Sequence, residues 1–190
     1  MSRGKVIILT APSGSGKTTL AGRLMQDFPI IKFSVSATTR KPRAGEIHGR
    51  DYYFLSREEF QSKIAQNEFL EYEEFYNGTL YGTLKSDVEN QLKKGYFVLL
   101  DIEVKGAQNI KDQFGSDCLG IFVSPPSIQE LEKRLIARGS ESSETLKTRL
   151  ERAEMEMKAA KNFDTRIVND ELERAYQELK SIVEPFIKST

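Results

Sequence analysis

The sequence predicts an α/β protein, a parallel sheet flanked by helices and interrupted by two insertions. Three observations carry this reading. Val6–Thr10 is a continuous β-branched and aliphatic run, as a strand buried on both faces requires. A Gly/Ser loop follows, and then Leu20, Leu24 and Phe28 recur at i, i+4 and i+8, the spacing of one helix face. Phe97–Leu100 and Leu119–Val123 are two more apolar runs, with a helical stretch from about Gly106 to Phe114 between them. Strands that alternate with helices indicate parallel pairing. Arg166–Val168 supplies a last short strand, and a helix from about Asp170 to Ile187 closes the chain.

Two segments break the alternation. Between Phe33 and Thr83 the chain is loop-rich and carries five of the seven tyrosines, with short alternating stretches at Tyr52–Leu55 and Phe69–Phe75. Its one clear helix is announced by Ser56-Arg57-Glu58-Glu59, a capping box in which hydroxyl and carboxylate satisfy orphan backbone donors reciprocally. Residues 127–160 read as two charged helices joined by Gly139–Ser143, the first opened by a second capping box, Ser127 to Glu130. Insertions of this kind on a sheet are where binding arms and lids are found.

Composition narrows the function classes. A chain of 190 residues with 38% hydrophobic content suits one domain with a sizeable core. The 28 basic and 28 acidic residues cancel, so nothing points to a nucleic-acid partner. With one cysteine, Cys118, and one histidine, His48, neither an intrachain disulfide nor a four-ligand Cys/His zinc site is expected. The longest apolar runs have about four residues, far short of the ~20 that span a bilayer, and no signal-peptide core precedes Val6, so a cytoplasmic protein without membrane attachment is expected. His48 reads as an exposed loop residue, and Cys118 as a strand-edge or core thiol rather than a reactive one.

Ala11-Pro12-Ser13-Gly14-Ser15-Gly16-Lys17-Thr18 matches the phosphate-binding loop G-x-x-x-x-G-K-[ST], with Ala at the first Gly. Gly14 and Gly16 let backbone N–H groups turn inward around an anion, and the helix that follows adds its N-terminal dipole. Lys17 is expected on the β- and γ-phosphates, and the Thr18 hydroxyl on Mg²⁺. The donor site, for ATP, is thus expected over Ala11 to Thr18 with Thr19 after it. Asp101, at the end of the run Leu99-Leu100-Asp101, is a second candidate for Mg²⁺, directly or through water.

The acceptor has to be read from the first insertion. Arg40 and Arg43 flank Pro42, a bend that can aim two guanidinium forks at one phosphate, although two solvated surface arginines remain an alternative for that pattern alone. The wider pattern is more specific. Ser36-x-Thr38-Thr39-Arg40-x-Pro42-Arg43-x-Gly45-Glu46, Gly49-x-Asp51-Tyr52-x-Phe54, Phe69-Leu70-Glu71, Tyr81-Gly82-Thr83, Leu100-Asp101-Ile102 and Ile167-Val168-Asn169-Asp170 together resemble the guanylate kinase family over nearly the whole chain.

The resemblance implies a P-loop nucleoside monophosphate kinase-like fold: a core of residues 1–33, 84–126 and 161–190, a GMP-binding arm over about 34–83 and a helical lid over about 127–160. It implies Mg²⁺-dependent transfer of the ATP γ-phosphoryl group to GMP, giving ADP and GDP in purine nucleotide metabolism. On this sequence it puts Arg40, Arg43, Tyr52 and Tyr81 on the GMP phosphate. Ser36, Glu71 and Thr83 fall on the guanine edge, with Asp101 close by. Arg134, Arg138 and Arg149 reach the transferring phosphoryl from the lid, although for Arg134 an ordinary solvated helix face is an equal reading. Asn169 falls near the adenine of ATP. Lys17, Arg43, Arg138 and Arg149 are the expected catalytic residues. The departures from the family pattern are Ala11 and Glu103, which stands where the family often has Asp. A dianionic acceptor phosphate needs no general base, in keeping with the single histidine. A related scaffold without catalysis, or a P-loop kinase for another small acceptor, are the competing readings.

Overall fold

The computed structural model describes residues 2–75, 78–137 and 143–189. Along the chain run β1 (Val6–Thr10), α1 (Lys17–Asp27), β2 (Ile31–Phe33), β3 (Ala37–Thr38), β4 (Tyr53–Phe54), α2 (Arg57–Ala65), β5 (Phe69–Glu74), β6 (Leu80–Leu84), α3 (Lys85–Lys93), β7 (Phe97–Asp101), α4 (Val104–Phe114), β8 (Cys118–Ser124), α5 (Ile128–Ala137), α6 (Ser143–Ala159), β9 (Thr165–Val168) and α7 (Leu172–Lys188).

The apolar runs become one parallel sheet in the order β2-β7-β1-β8-β9. Strand β1 is central and inaccessible along its whole length, which is why its sequence shows no polar alternation. Its side chains divide between the two faces of the sheet. Ile7 and Leu9 pack with Leu20 and Leu24 of α1 and Leu179 and Val183 of α7. Val6 and Ile8 pack with Val88 and Leu92 of α3 and Ala107 and Ile110 of α4. Each such buried aliphatic contributes roughly 1.5–3 kcal/mol, so the two faces together fix the sheet. The carboxyl ends of β1 and β7 lie side by side, with Leu9 opposite Asp101. Ligands of open α/β sheets bind outside those carboxyl ends.

The first insertion holds more structure than its sequence announced. Strands β4-β3-β6-β5 form a mixed second sheet over a small core of Ala37, Phe60, Phe69, Leu80 and Leu84. Ser56 and Glu59 make both bonds of the capping box on α2. At α5 the Ser127 hydroxyl accepts from Glu130 N at 3.1 Å, whereas the Glu130 carboxylate turns to Arg134 instead of closing the box. Helix α4 begins two residues earlier than expected, and α7 two residues later. Strands β2, β3 and β6 and helix α3 were not expected from the sequence. Helices α5 and α6 share a third core of Leu131, Leu135 and Ala153. Residues 138–142, which include Arg138 and most of the expected joint between these helices, lie outside the described residues. Among the described residues, no helix is long and apolar enough to cross a membrane.

Candidate active site

The loop between β1 and α1 surrounds a cleft of about 210 Å³ lined by every residue from Ala11 to Thr19. Gly14 and Gly16 have φ of 94° and 86°, the left-handed region that turns successive N–H groups to one side. Space enforces glycine as well, because a Cβ on Gly14 would press on Leu131 and Leu135 of α5, at 3.1 Å each. At Gly16 a Cβ would collide with the side-chain amide of Asn169. That amide is committed: Asn169 Nδ2 donates to the Ser15 carbonyl at 2.7 Å, its N donates to Ser124 O, and its own carbonyl accepts from Arg134 Nη1 at 2.9 Å. Asn169 and Arg134 thus underpin the loop. We expect Gly16→Ala to lower kcat/KM for ATP by about 10²-fold or more, through strain of ~1–3 kcal/mol and displacement of Asn169. Steady-state kinetics together with thermal unfolding check this.

Lys17 Nζ pairs with the Asp101 carboxylate, joining the phosphate loop to the end of β7. Thr18 is exposed at the first turn of α1 and lines the same cleft. A hydroxyl and one carboxylate beside a phosphate loop fit Mg²⁺, which keeps several waters and relies on substrate phosphates rather than on an all-protein cage.

A second cavity, of about 590 Å³, lies between the two sheets and reaches Asp101. Ser36, Tyr52, Glu71, Tyr81 and Asp101 all line it, so side chains far apart in sequence meet on its walls. Glu71 is placed by the pairing of β5 with β6, whose register shifts between Phe69 and Glu71. Its Oε1 accepts from Thr83 Oγ1 at 2.6 Å. Gly106 leaves room for the other oxygen, since a Cβ there would lie 2.8 Å from Oε2. Burial pushes the Glu71 carboxyl above the usual range. The Thr83 hydrogen bond opposes that rise, and the charges of Glu73 and Glu103 add to it. Glu71 therefore faces inward, not outward beside Glu74, which is exposed and pairs with Arg57. Thr83 itself is buried behind Glu71.

Arg40 sits beside the cavity over the rings of Tyr52 and Phe54, at 5.0 and 5.6 Å. Glu46 grips its fork with bonds of 2.7 and 2.9 Å, and this pair holds the Glu46 carboxyl down to about 2. Arg43 is exposed on the same loop, where its backbone N also donates to Glu46. From α6, Arg149 Nη1 reaches Ser13 Oγ at 3.3 Å. Arg138 cannot be placed among the described residues. His48 is exposed, and its Nδ1 accepts from Phe54 N at 3.2 Å, which ties the turn before β4. Cys118 is buried, and burial pushes its thiol up to about 12, an unreactive state.

Sequence reasoning passed over several lining residues. Glu73 on β5 and Phe75 just past its end follow Glu71 at two-residue steps, so strand alternation was the signal that could have found them. Phe33 and Ile102, the latter beside Asp101, complete the apolar part of the wall.

Comparison with known proteins identifies the family. The family description "Guanylate kinase" matches residues 3–185. The chain belongs to the guanylate kinase family. It is 50% identical over 184 residues to the guanylate kinase of Salinibacter ruber, covering 97% of each chain. It is 49% identical over 187 residues to that of Chlorobaculum tepidum, covering 98% of this chain and 95% of the relative. The crystal structure of guanylate kinase from Anaplasma phagocytophilum superposes with a TM-score of 0.77 at 31% identity, over 97% of this chain and 87% of the other. Phosphorylation of GMP by ATP is the function of the guanylate kinase family, whose members are ATP-dependent nucleoside monophosphate kinases.

Proposed function

We propose that this chain transfers the γ-phosphoryl group of ATP to GMP, using the loop of residues 11–19 as the donor site and the cavity between the sheets as the acceptor site. The observation that carries this assignment is that one cavity is lined both by Glu71, which accepts from Thr83, and by Asp101, which pairs with Lys17 of the phosphate loop. Guanine fits Glu71, because it offers N1–H and N2–H donors side by side to a carboxylate. Ser36 lies on the same wall to reach the base.

The acceptor phosphate then lies toward Tyr52, Tyr81 and Arg40, with Arg43 closing from the outer loop. Glu46 keeps Arg40 oriented, so the guanidinium meets the phosphate without a reorganisation cost. The phosphate is largely dianionic at pH 7 and attacks without a general base. Lys17 carries the charge of the β- and γ-phosphates, and the loop amides hold their oxygens. Asn169 serves the ATP site by fixing Ser15. Arg149, with Arg138, neutralises the charge that spreads over the equatorial oxygens in the transition state. Thr18, with Asp101 directly or through water, would hold Mg²⁺, which supplies Lewis-acid charge stabilisation to the phosphates when bound. Residues 34–83 serve as an arm and 127–160 as a lid that close over both nucleotides and exclude water. The use of ATP and a lone, buried thiol suit the cytoplasm.

A coupled ADP-release assay across GMP, AMP, CMP and UMP tests the assignment. We expect GMP to be preferred by about 10²-fold or more in kcat/KM. Absence of turnover with every acceptor would favour a catalytically silent binding domain, and a different preferred acceptor would move the base reading away from Glu71.

A further inference from the structure

Arg152 belongs to none of the roles above, yet it bonds to side chains on three elements. It lies on α6 of the lid. Its Nη2 donates to Glu103 Oε2 at 2.8 Å, in the turn between β7 and α4, and to Glu73 Oε1 at 3.4 Å, on β5 of the arm. Its Nε donates to Glu156 Oε1 at 2.8 Å, one turn further along α6. The guanidinium also lies over the Phe75 ring, 5.3 Å from its centroid. A planar fork with donors on two edges is suited to serve a carboxylate of its own helix and two from other elements at once.

The place of this junction matters. Glu73, Phe75 and Glu103 all line the acceptor cavity. Phe75, Glu103 and Arg152 also line a smaller gap of about 280 Å³, together with Ser13 of the phosphate loop and Arg149. The guanidinium thus stands where acceptor site, donor site and lid adjoin. Arg149 follows Thr148 on the same helix one turn before it, so whatever holds Arg152 in place also sets where Arg149 points.

We infer that Arg152 is a positioning residue that links the two nucleotide sites, by fastening the lid helix at once to the arm through Glu73 and to the core through Glu103. The inference rests on GMP occupying the cavity between the sheets. An acceptor that orders Glu73 and Glu103 then stabilises the lid position from which Arg149 reaches the donor. By linkage, a donor that holds the lid tightens the acceptor site by the same factor. Arg152 also sets a cation against two carboxylates that would otherwise face an anionic substrate.

The test compares the affinity of a non-hydrolysable ATP analogue with and without saturating GMP, by titration calorimetry on the wild type, Arg152→Ala, Arg152→Lys and Glu73→Gln. In the wild type GMP should tighten the analogue by about fivefold or more. Arg152→Ala should bring that factor close to one and lower kcat by about tenfold, since the transition-state contacts of Arg149 are lost with the lid position. Arg152→Lys should restore part of the linkage, because a point charge keeps one bond of the fork. Glu73→Gln, which leaves the guanidinium in place, should reduce it as well. Loss of stability alone would move the melting temperature and leave the linkage factor intact. A wild-type factor retained in Arg152→Ala, or retained in Glu73→Gln if the first variant does not fold, overturns the inference while the acceptor assignment stands. Failure of GMP to bind the wild type overturns both.

Discussion

Replacing Lys17 by alanine should abolish phosphoryl transfer and leave a folded protein. We expect kcat to fall by about 10³-fold or more, because the lysine acts on charge that grows in the transition state within a site that excludes water. In the structure Nζ is paired with Asp101, and the lysine side chain is only 16% exposed. This pairing does not compete fatally with the nucleotide. An ammonium has three donors, so it can keep Asp101 while it reaches an incoming phosphate. The variant leaves Asp101 without its cation. That carboxylate keeps 26% exposure and remains solvated, so a cost of ~0.5–3 kcal/mol is expected rather than unfolding. The buried strands on either side, β1 and β7, do not depend on Lys17. Circular dichroism and thermal melting establish the fold, and coupled ADP release measures the loss. Turnover near the wild-type level would sink the assignment of the donor loop.

What could be read from the chain, and what could not, follows from where the signals originate. The strands of the main sheet are buried on both faces, so β1, β7 and β8 stand out as uninterrupted apolar runs. Strand β2 has three residues, of which only Ile31 is buried, and β3 has two. Such short pieces carry no periodicity, and tertiary pairing alone makes them strands. Helix α3 was silent for another reason: it buries only Val88 and Leu92, and Leu84 at its N-cap makes no side-chain capping bond. The site shows the same division. The phosphate loop is local, and its residues announce themselves within nine positions. The acceptor cavity draws on residues from Phe33 to Glu103, and only a family resemblance could gather them beforehand. That resemblance set Asn169 by the adenine; nothing local announces that its amide also donates to the Ser15 carbonyl. The Arg152 junction unites positions 73, 103, 152 and 156, and no spacing in the sequence signals it.

The choice of base should rest on Glu71. A carboxylate accepts at both oxygens, and guanine faces it with N1–H and the N2 amine. Adenine presents a bare acceptor at N1 and lacks the amine, so it sets a lone pair against the carboxylate and leaves a buried group unpaired. Sites built on such matching reject the wrong ligand by up to ~10⁴-fold. The bonding within the pocket bears on the proposed roles of the neighbours. The single hydroxyl proton of Thr83 goes to Glu71 Oε1, so Thr83 orients the carboxylate and does not donate to the guanine O6 at the same time. Ser36 is left as the hydroxyl on the wall that can do so. Burial holds the carboxyl pKa above its ordinary value, so the surrounding protein by itself disfavours the charge the base needs. Guanine donors restore it. We therefore expect Glu71→Gln to lower kcat/KM for GMP by at least about tenfold and to shrink the GMP-over-AMP ratio, with KM for ATP barely changed. The pH profile carries a second sign of the same group. A carboxyl with a raised pKa takes up its proton earlier as the pH falls, so KM for GMP should rise on the acid side before an ordinary glutamate would titrate. The acceptor phosphate, with its second pKa near ~6, also titrates there, and that part of the limb remains in both proteins. The part that Glu71 contributes must vanish in Glu71→Gln. An unchanged GMP/AMP ratio, with an acid limb identical in wild type and variant, would mean that guanine is read elsewhere on the cavity wall.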